Sequence, residues 1–271
     1  MDELQGDGGV VFVKTSSRSA KDTPIGESRL KMLFETFVAE DVDPDLQGHE
    51  RDNQRLACLV EAATILMQMS RAEKVVDCFA RSARIYQDMT LALDRQDRWN
   101  ENIVVRTWVN MAVDCEFRGF VYHNQLVAIR CSYLPSHHSD SHSQYNHMLF
   151  SPRLLERREH IRSTLHGWFN SQIRDKLTGL ALDDSYIIDF ALAGETWTRK
   201  RTPSHGPERV WVIELNPFAT STDGALFSWQ RDEDILHGRQ PLSDGPVLRL
   251  REHWDPDIIT GLNSEWRVLL T

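Results

Sequence analysis

Two oxygen-bearing side chains stand at the end of one short apolar stretch of the sequence. Residues 210–217 are rich in types that favour strands, and the proline at the end of the run stops the strand. Alternate residues of a strand share a face, so one predicted face carries Val210, Val212, Glu214 and Asn216. A carboxylate and an amide oxygen that project together suit Mg²⁺, which combines one or two protein carboxylates with phosphate oxygens. On this strand alone, a solvated acid is the alternative interpretation.

A second apolar stretch repeats this arrangement. Within residues 186–190, Asp189 continues the strand face of Ile187. If the two strands are neighbours in a sheet, Asp189, Glu214 and Asn216 converge on one place. We therefore predict that these three side chains bind one metal ion.

Lys14 ends another apolar stretch, residues 10–14, and is followed by a polar loop that contains Arg18, Ser19 and Lys21. A lysine that leaves a strand beside a basic, serine-rich loop can bind nucleotide phosphates. The alternative is an edge-strand lysine whose ammonium group extends into solvent. The sequence contains neither a P-loop motif nor the glycine fingerprint of a Rossmann fold, so neither of those nucleotide sites is supported.

Arg118 is a further candidate cation. It shares a predicted strand face with Glu116, so it either faces a phosphate or pairs with that carboxylate. Four histidines lie in a loop rich in Ser and Asp, where their spacing does not favour zinc: His137, His138, His142 and His147. No G-x-S-x-G motif is present, and no catalytic residue is assigned.

The composition excludes several classes of protein. With 271 residues, 41% of them hydrophobic and 9% aromatic, the chain has the material for a packed core in one or two domains. It contains no apolar run of the about 18 residues that a membrane span requires, and its acidic first residues do not resemble an export signal. A formal net charge of −9 disfavours nucleic acid as the main partner.

Cysteine usage predicts a reducing, cytoplasmic setting, because none of the four cysteines forms a C-x-x-C pair. In a predicted hairpin that turns at residues 123–124, Cys131 is expected to oppose Glu116. Cys115 then lies one residue out of register and points to the other face of the hairpin. A disulfide between Cys115 and Cys131 is therefore not expected.

The elements that position these residues mix helices and strands without regular βαβ alternation, which favours an α+β fold. Strands are predicted over residues 10–14, 103–108, 186–192 and 210–216, with a hairpin over 116–130. Helices are predicted over residues 28–38, 54–69, 151–176 and 223–229. Residues 75–93 are predicted to begin as a strand and to continue as a helix.

In combination, four blocks of the sequence resemble the cell division cycle protein 123 family, a branch of the ATP-grasp superfamily. The first block is F-V-K at 12–14 with the loop that follows it, and the second is V-V-R-T-W at 104–108 with E-F-R at 116–118. The third is I-I-D-F at 187–190. The fourth, residues 210–229, is the most specific, because it resembles V-W-L-I-D-F-N-P-F…T-D-x-L-L-F-T-W almost throughout.

The resemblance implies an ATP-grasp fold, in which two α+β lobes clamp ATP and Mg²⁺. The residues that it assigns to this site are Lys14, Ser19, Lys21, Asp22, Ile103, Val104, Arg118, Asp189, Glu214 and Asn216. Lys14 and Arg118 would face the phosphates, the backbone at residues 103–104 would meet adenine, and the last three residues of the set would hold Mg²⁺.

Three departures from the family pattern bear on function. Glu214 stands where the family usually has Asp, which recreates the E-x-N of catalytic ATP-grasp ligases. Ala20 replaces a loop proline and should loosen the loop. Lys14 lies near the start of the sequence, so the N-terminal lobe is expected to be shortened. The predicted domains are this shortened lobe, residues 1–102, and a C-terminal lobe with the metal site, residues 103–271, with a hinge near 102–106.

The function implied by the resemblance is assembly of eukaryotic translation initiation factor 2 through binding of its gamma subunit. The alternative is an ATP-dependent ligase or other phosphoryl-transfer enzyme, which Glu214 and Asn216 motivate and whose acceptor the sequence leaves open. A third reading is a degenerate clamp that binds neither ATP nor a partner. Whether the chain is an enzyme stays open at this point.

Overall fold

The structure is a computed structural model that describes residues 9–26, 28–95, 101–131, 149–178, 183–224, 226–241, 245–255, 258–259, 262 and 264–270. The chain divides into two compact units: unit 1 comprises residues 1–109 with 262–271, and unit 2 comprises residues 110–261. Unit 1 thus includes residues 103–109, which the sequence-based division assigned to the second lobe. Within the described ranges, no helix is long and apolar enough to cross a membrane. The four histidines of the predicted loop lie outside these ranges.

A two-stranded ribbon in unit 1 carries the lysine. Its strands, β1 (Val11–Thr15) and β2 (Ile103–Thr107), pair antiparallel, and both were predicted from their β-favouring residues. The backbone groups of Val11 and Met69 also bond to each other in both directions, at 2.8 and 2.9 Å. This bridge joins the ribbon to the helical part of the unit.

Helices make up most of the rest of unit 1: α1 (Ser28–Asp41), α2 (Gly48–Leu66), α3 (Ala72–Arg81), α4 (Ala83–Asp94) and a C-terminal helix, Ser264–Leu270. α1 buries Leu30, Phe34 and Phe37, which recur at helical spacing on one stripe. The helices predicted over residues 28–38 and 54–69 are confirmed, although α2 begins earlier than its apolar stripe. The C-terminal helix was not predicted.

The prediction that residues 75–93 begin as a strand is wrong, because α3 spans that segment. Val75 packs there against a buried cluster that includes Val13 and Ile85, so tertiary packing overrides the β propensity of two adjacent valines. The helix is interrupted at Ser82, whose Oγ accepts a hydrogen bond from the backbone N–H of Ile85 at 3.1 Å. Ser82 therefore caps the N-terminus of α4.

Unit 2 is built on a five-stranded sheet of order β6-β5-β3-β4-β7. The strands are β3 (Glu116–Tyr122), β4 (Gln125–Cys131), β5 (Tyr186–Ala193), β6 (Arg209–Pro217) and β7 (Val247–Arg249). The predicted hairpin and the two later strands are confirmed, whereas β7, which pairs parallel to β4, was not predicted. The hairpin turns at His123 and Asn124 with φ of 48° and 61°, the left-handed conformation that suits a two-residue turn between twisted strands.

The two faces of this sheet are covered differently. One face packs against helices through a large buried cluster that includes Phe117, Ile161 and Phe190. The other face carries a smaller buried cluster that includes Phe120 and Phe227. Charged side chains share this second face, and they form the site described below.

Two helix predictions in unit 2 need correction. The helix predicted over residues 151–176 is not continuous, and it comprises α5 (Pro152–Glu156), α6 (Arg158–Trp168), a π-helical turn (Phe169–Ile173) and α7 (Arg174–Thr178). The helix predicted over 223–229 is wrong, because the described residues of that segment form turns, a bend and irregular backbone. A short helix, α8 (Glu233–Leu236), begins later, after Asp232 has accepted a hydrogen bond from the backbone of Ser228 at 2.8 Å.

A β-bulge in the hairpin overturns the predicted arrangement of two cysteines. The register shifts between Phe120 and Val121, so Cys131 pairs with Phe117 rather than with Glu116. Cys115 and Cys131 consequently belong to the same buried cluster and do not point to opposite faces. All four cysteines are among the described residues, and no disulfide joins them.

Candidate functional site

Five charged residues line up across the sheet of unit 2, one on each strand. In the order of the strands β7, β4, β3, β5 and β6 they are Arg249, Arg130, Arg118, Asp189 and Glu214, and each is the direct register partner of the next. Partners in register point to the same face of a sheet, so the five side chains form one continuous line. We call this line the charged row. It contains three of the predicted site residues and two arginines that were not predicted.

A second bulge places Glu214 in the charged row. Asp189 pairs with Glu214 whereas the next residue of β5, Phe190, pairs with Val212, which leaves Ile213 as the extra residue. Val212 therefore packs toward the large cluster, on the face opposite Glu214. The prediction that Val210 and Val212 share a face with Glu214 and Asn216 is wrong, because strict alternation ignores the bulge.

Arg118 and Asp189 form the buried centre of the charged row. The guanidinium donates from Nε to Oδ1 of Asp189 at 2.7 Å and from Nη2 to Oδ2 at 2.8 Å. Burial alone would lower the pKa of Arg118, but the hydrogen bonds and the charge of Asp189 outweigh it and raise that pKa. Pairing of Arg118 with a carboxylate was foreseen, with the wrong partner: the structure gives it Asp189 instead of Glu116.

The three predicted metal ligands come together as expected. Asp189 and Glu214 are direct cross-strand partners, and Nδ2 of Asn216 donates to Oδ2 of Asp189 at 3.3 Å. Each oxygen of a carboxylate has two lone pairs, so the Arg118 hydrogen bonds leave Asp189 able to contact a cation. Two carboxylates and an amide oxygen suit Mg²⁺ with phosphate or water in its other positions. Among the described residues, no cluster of three or more His, Cys, Asp or Glu side chains offers a protein-only metal site.

Arg130 lies next to Arg118 and is completely buried, with 0% of its surface exposed. Both arginines donate to one acceptor, the backbone carbonyl of Asp223, from Nη1 of Arg118 at 2.9 Å and from Nη2 of Arg130 at 3.3 Å. Within the described part of the chain, Nε and Nη1 of Arg130 have no hydrogen-bond partner. Burial, followed by the adjacent Arg118 charge, lowers the pKa of Arg130 to about 9, which still leaves a cation at neutral pH.

Arg249, at the β7 end of the charged row, is neutralised inside the protein. Its guanidinium donates to both carboxylate oxygens of Asp232, at 2.8 and 2.6 Å, and to the backbone carbonyl of Leu226 at 2.8 Å. It also lies 4.2 Å from the ring centre of Phe227, which is a cation–π distance. Arg249 thus fixes the segment that follows β6, whereas Arg130 has no such carboxylate.

In unit 1, β1 and β2 bring three predicted residues together. Lys14 is the direct partner of Val104, and Thr15 is the partner of Ile103. Lys14 is half-buried, whereas the side chain of Ile103 is 66% exposed. An exposed strand leaves backbone groups accessible to a flat ligand, as the resemblance implies for adenine.

The loop after Lys14 is held by hydrogen bonds within unit 1. Asp22 accepts from Oγ of Ser82 at 2.7 Å and from the backbone N–H of Arg84 at 3.3 Å, so it supports the N-terminus of α4. Ser19 is buried and Lys21 is half-buried. The structure thus gives Asp22 a supporting position in the fold, and its predicted place in the ATP site stays a prediction.

A shallow cavity of about 350 Å³ lies elsewhere in unit 2, between α6 and the start of β6. It is lined by Thr164, Trp168, Glu208, Arg209, Val210 and Trp211. Its carboxylate, Glu208, is occupied by hydrogen bonds from the His160 and Trp197 rings, at 2.7 Å each. This cavity contains none of the predicted site residues. The charged row, which combines arginines with carboxylates, is therefore the stronger candidate site.

Comparison with known proteins supplies the family. The sequence pattern of the D123 family matches residues 57–255, which is well over half of the chain. The chain belongs to the D123 family. The resemblance to the cell division cycle protein 123 family is thereby confirmed, and the matched residues include the whole charged row.

Curated relatives carry two names. A protein of Aspergillus niger named translation initiation factor eIF2 assembly protein is 30% identical over 158 residues, 57% of this chain and 34% of the relative. A Xenopus laevis protein of the same name is 25% identical over 128 residues, 47% of this chain and 29% of the relative. In Aspergillus terreus the relative is named cell division cycle protein 123, with 27% identity over 52% of this chain and 26% of the relative. The matches span about a third or less of the length of these relatives.

Solved structures support the fold. Cdc123 from Schizosaccharomyces pombe, truncated at its C-terminus, matches 93% of this chain and 74% of its own chain, with a TM-score of 0.55 and 20% sequence identity. Its untruncated counterpart matches 90% of this chain with a TM-score of 0.50. The mixed helix and strand architecture predicted from the sequence is therefore confirmed.

Proposed function

We propose that this chain is an ATP·Mg²⁺-binding protein of ATP-grasp type that acts in the assembly of translation initiation factor 2, through its gamma subunit. The observation that carries the proposal is the charged row, which has cations at one end and carboxylates at the other. A nucleoside triphosphate with Mg²⁺ has the complementary arrangement, because its phosphates are anionic and its metal is cationic. Relatives named translation initiation factor eIF2 assembly protein support an initiation-factor partner.

Each end of the charged row has a definite part in this proposal. Asp189, Glu214 and Asn216 would hold Mg²⁺, which when bound would neutralise phosphate charge. Arg118 would donate to a phosphate oxygen from the guanidinium that Asp189 already holds in place, so little ordering would accompany binding. Burial strengthens these interactions, because charges attract more strongly in a medium of low dielectric constant.

By the resemblance, unit 1 carries the proposed contacts to adenine and one further cation. Lys14 would face the phosphates, and the backbone at residues 103–104 would meet adenine. The direct pairing of Lys14 with Val104 supports this assignment, because one short ribbon then carries both contacts. Ser19 and Lys21 would belong to the loop beside the phosphates.

The names of the relatives support translation initiation factor 2 as the proposed partner, and the choice of its gamma subunit rests on the family resemblance. Proteins named translation initiation factor eIF2 assembly protein share 25–30% identity with this chain over segments of 128–158 residues. Bound ATP would order the chain, and the ordered surface would engage the gamma subunit. A titration of purified gamma subunit, with Mg·ATP and without nucleotide, tests this part. We expect a complex that is tighter with Mg·ATP, and no complex under either condition would refute the assembly role.

A second candidate function is an ATP-dependent ligase. The bulge that turns Glu214 to the face of Asp189, with Asn216 two residues later, gives the E-x-N arrangement of catalytic ATP-grasp enzymes a place in the charged row. Such an enzyme would transfer the γ-phosphoryl group of ATP to an acceptor carboxylate and release ADP. Release of ADP with a panel of carboxylates and amines would support the ligase, and no release with any of them would count against it.

Thermal unfolding tests the nucleotide site. We expect ATP to raise the melting temperature only when Mg²⁺ is present, because a ligand of the folded state stabilises it by mass action. Glu214→Gln should remove most of this Mg²⁺-dependent shift while leaving the fold intact, since Glu214 lies on the edge strand and is only half-buried. Glu233→Gln is the matched control, because Glu233 is an exposed acid on α8 outside the site. Equal shifts in both variants would mean that the metal site is misplaced.

A further inference from the structure

Among the described residues, no carboxylate hydrogen-bonds to Arg130, a buried charge of unit 2, although the negative charges of Asp223 and Asp189 favour its protonated form. Arg130 is 0% exposed, its direct partners in register are two more arginines, and its one hydrogen bond within the described residues goes to a backbone carbonyl. Two of its nitrogens have no partner there. A guanidinium cannot escape this situation by losing its proton, because its pKa of about 9 keeps it charged at neutral pH.

A buried charge without a carboxylate destabilises a folded protein, and apolar residues of similar volume in such a position are often neutral or stabilising. The structural hydrogen bond of Arg130 is also redundant. The carbonyl of Asp223 that it contacts at 3.3 Å accepts a shorter bond, 2.9 Å, from Arg118. The hydrogen bonds of unit 2 therefore do not require a charge at this position.

The neighbouring Arg249 provides the contrast. It has the same residue type on the same face, one strand away, but Asp232 and Phe227 compensate its charge. On the other side, Arg118 is held by Asp189. Arg130 thus adds a positive charge to the arginine end of the charged row that is not neutralised by a paired carboxylate.

We propose that Arg130 is a positioning residue whose buried charge prepares the charged row for a polyphosphate anion. Since its nitrogens are covered, it acts through the field at Arg118 and not by contact with the ligand. At the effective dielectric constant of about 20 that suits protein interiors, a charge still acts over several ångströms, so the charge of Arg130 reaches an anion held by Arg118. This inference rests on the proposed ATP·Mg²⁺ site, because the anion it names is the triphosphate of that ligand.

The test compares stability and affinity in one variant. Arg130→Met should raise the melting temperature of the ligand-free protein by about 2–4 °C, because it removes a buried charge that has no paired carboxylate. The same variant should bind Mg·ATP about tenfold more weakly by calorimetry. The loss should be smaller for AMP than for ATP, since the field of Arg130 acts on ligand charge. A purely structural role would lower stability and would affect both nucleotides alike.

Arg153→Met is the matched control, because Arg153 is a partly buried arginine of unit 2 that lies outside the charged row. It should lower the melting temperature, because Asp114 loses its hydrogen bonds from Arg153, and it should keep the affinity for Mg·ATP within about twofold. Unchanged affinity in Arg130→Met, or an equal loss for ATP and AMP, would overturn the inference while the proposed site stands. No binding of Mg·ATP to the unmodified protein would overturn both.

A second variant, Arg130→Gln, tests the inference if Arg130→Met does not fold. If Arg130→Met does not fold, the expected gain in stability is refuted, and Arg130→Gln then tests the affinity alone. Glutamine keeps one donor for the carbonyl of Asp223 but carries no charge. A tenfold weaker affinity for Mg·ATP in Arg130→Gln supports the electrostatic role, and an affinity equal to that of the unmodified protein overturns it.

Discussion

The two places that carry the predicted ATP-binding residues are built in different ways. In unit 1, the β1–β2 ribbon leaves one strand open, with Ile103 66% and Val105 48% exposed. In unit 2, the centre of the charged row is buried, with Arg118 6% and Asp189 7% exposed. The ribbon is held by backbone pairing and by hydrogen bonds of its loop, whereas the charged row is held by ion pairs between side chains.

This difference determines how binding and stability are coupled. A buried ion pair is expensive to break, because the remaining charge stays in a medium of low dielectric constant. A half-exposed lysine can turn into water when its partner changes. Substitutions at the buried centre of the charged row should therefore affect both folding and ATP binding, while substitutions in the ribbon should affect binding alone.

The largest effect is expected for Asp189→Ala. This substitution leaves Arg118 buried without its carboxylate, so the free energy of unfolding should fall by about 3–5 kcal/mol in urea titrations. Asp189→Asn keeps an acceptor in the same place and should cost less. If Asp189→Ala changes stability by less than about 1 kcal/mol, the charged row is not a structural element.

An intermediate effect is expected for Asp114, which lies in unit 2 outside the charged row. Its carboxylate is buried and accepts from Oγ of Ser151 at 2.6 Å, from Arg153 at 2.9 and 2.5 Å, and from Arg199 at 3.2 Å. Asp114→Asn should lower the free energy of unfolding by about 2–3 kcal/mol at pH 7, because the two arginines are partly exposed and can be hydrated. Affinity for Mg·ATP should not change.

The pH dependence of Asp114 gives the same prediction a second readout. Burial would raise its pKa, but the charges and hydrogen bonds of Arg199 and Arg153 outweigh burial and hold the pKa well below its ordinary value. A lowered pKa in the folded state means that Asp114 stabilises the protein above its ordinary pKa of about 3.9, and that this contribution is lost as pH falls below that value. The stabilities of Asp114→Asn and the unmodified protein should therefore converge between about pH 4 and pH 2. A constant difference over that range would contradict the assignment.

The smallest effect on folding is expected for Lys14→Met. The lysine is half-buried on an open ribbon, and its stem can be replaced by a methionine of similar length, so the free energy of unfolding should change by less than about 1 kcal/mol. Calorimetry should nevertheless show about tenfold weaker binding of Mg·ATP, since a phosphate contact would be lost. A large loss of stability would show that folding of the ribbon, like that of the charged row, depends on its charged side chain.

The strands and three of the site residues could be predicted from the sequence, because the alternation of side chains between the two faces of a strand is a local signal. Asp189 was correctly assigned to the face of Ile187, and the convergence of Asp189, Glu214 and Asn216 followed once two strands were taken as neighbours. The four sequence blocks were connected to one family by their combined resemblance to it. The mixed fold and the family were therefore available before any coordinates.

The bulges could not be predicted from the sequence, because they depend on how two strands pair. One bulge shifts the cross-strand partner of Cys131 by one residue, and the other places Glu214 on the face opposite Val212. Arg130 was missed for the same reason, although an arginine at the end of the apolar run that follows the hairpin turn is a usable signal. A fully buried arginine is rare unless it is paired, so an arginine in such a run indicates either an ion pair or a functional role.

The central claim is that the charged row binds the phosphates and metal of ATP·Mg²⁺. Isothermal titration of the protein with ATP, in Mg²⁺ and in excess EDTA, tests it most directly when Asp189→Asn is measured alongside. We expect saturable binding at one site in Mg²⁺, weakened at least about tenfold by EDTA and by the variant. Binding that is the same with and without Mg²⁺, or the same in Asp189→Asn, would contradict it.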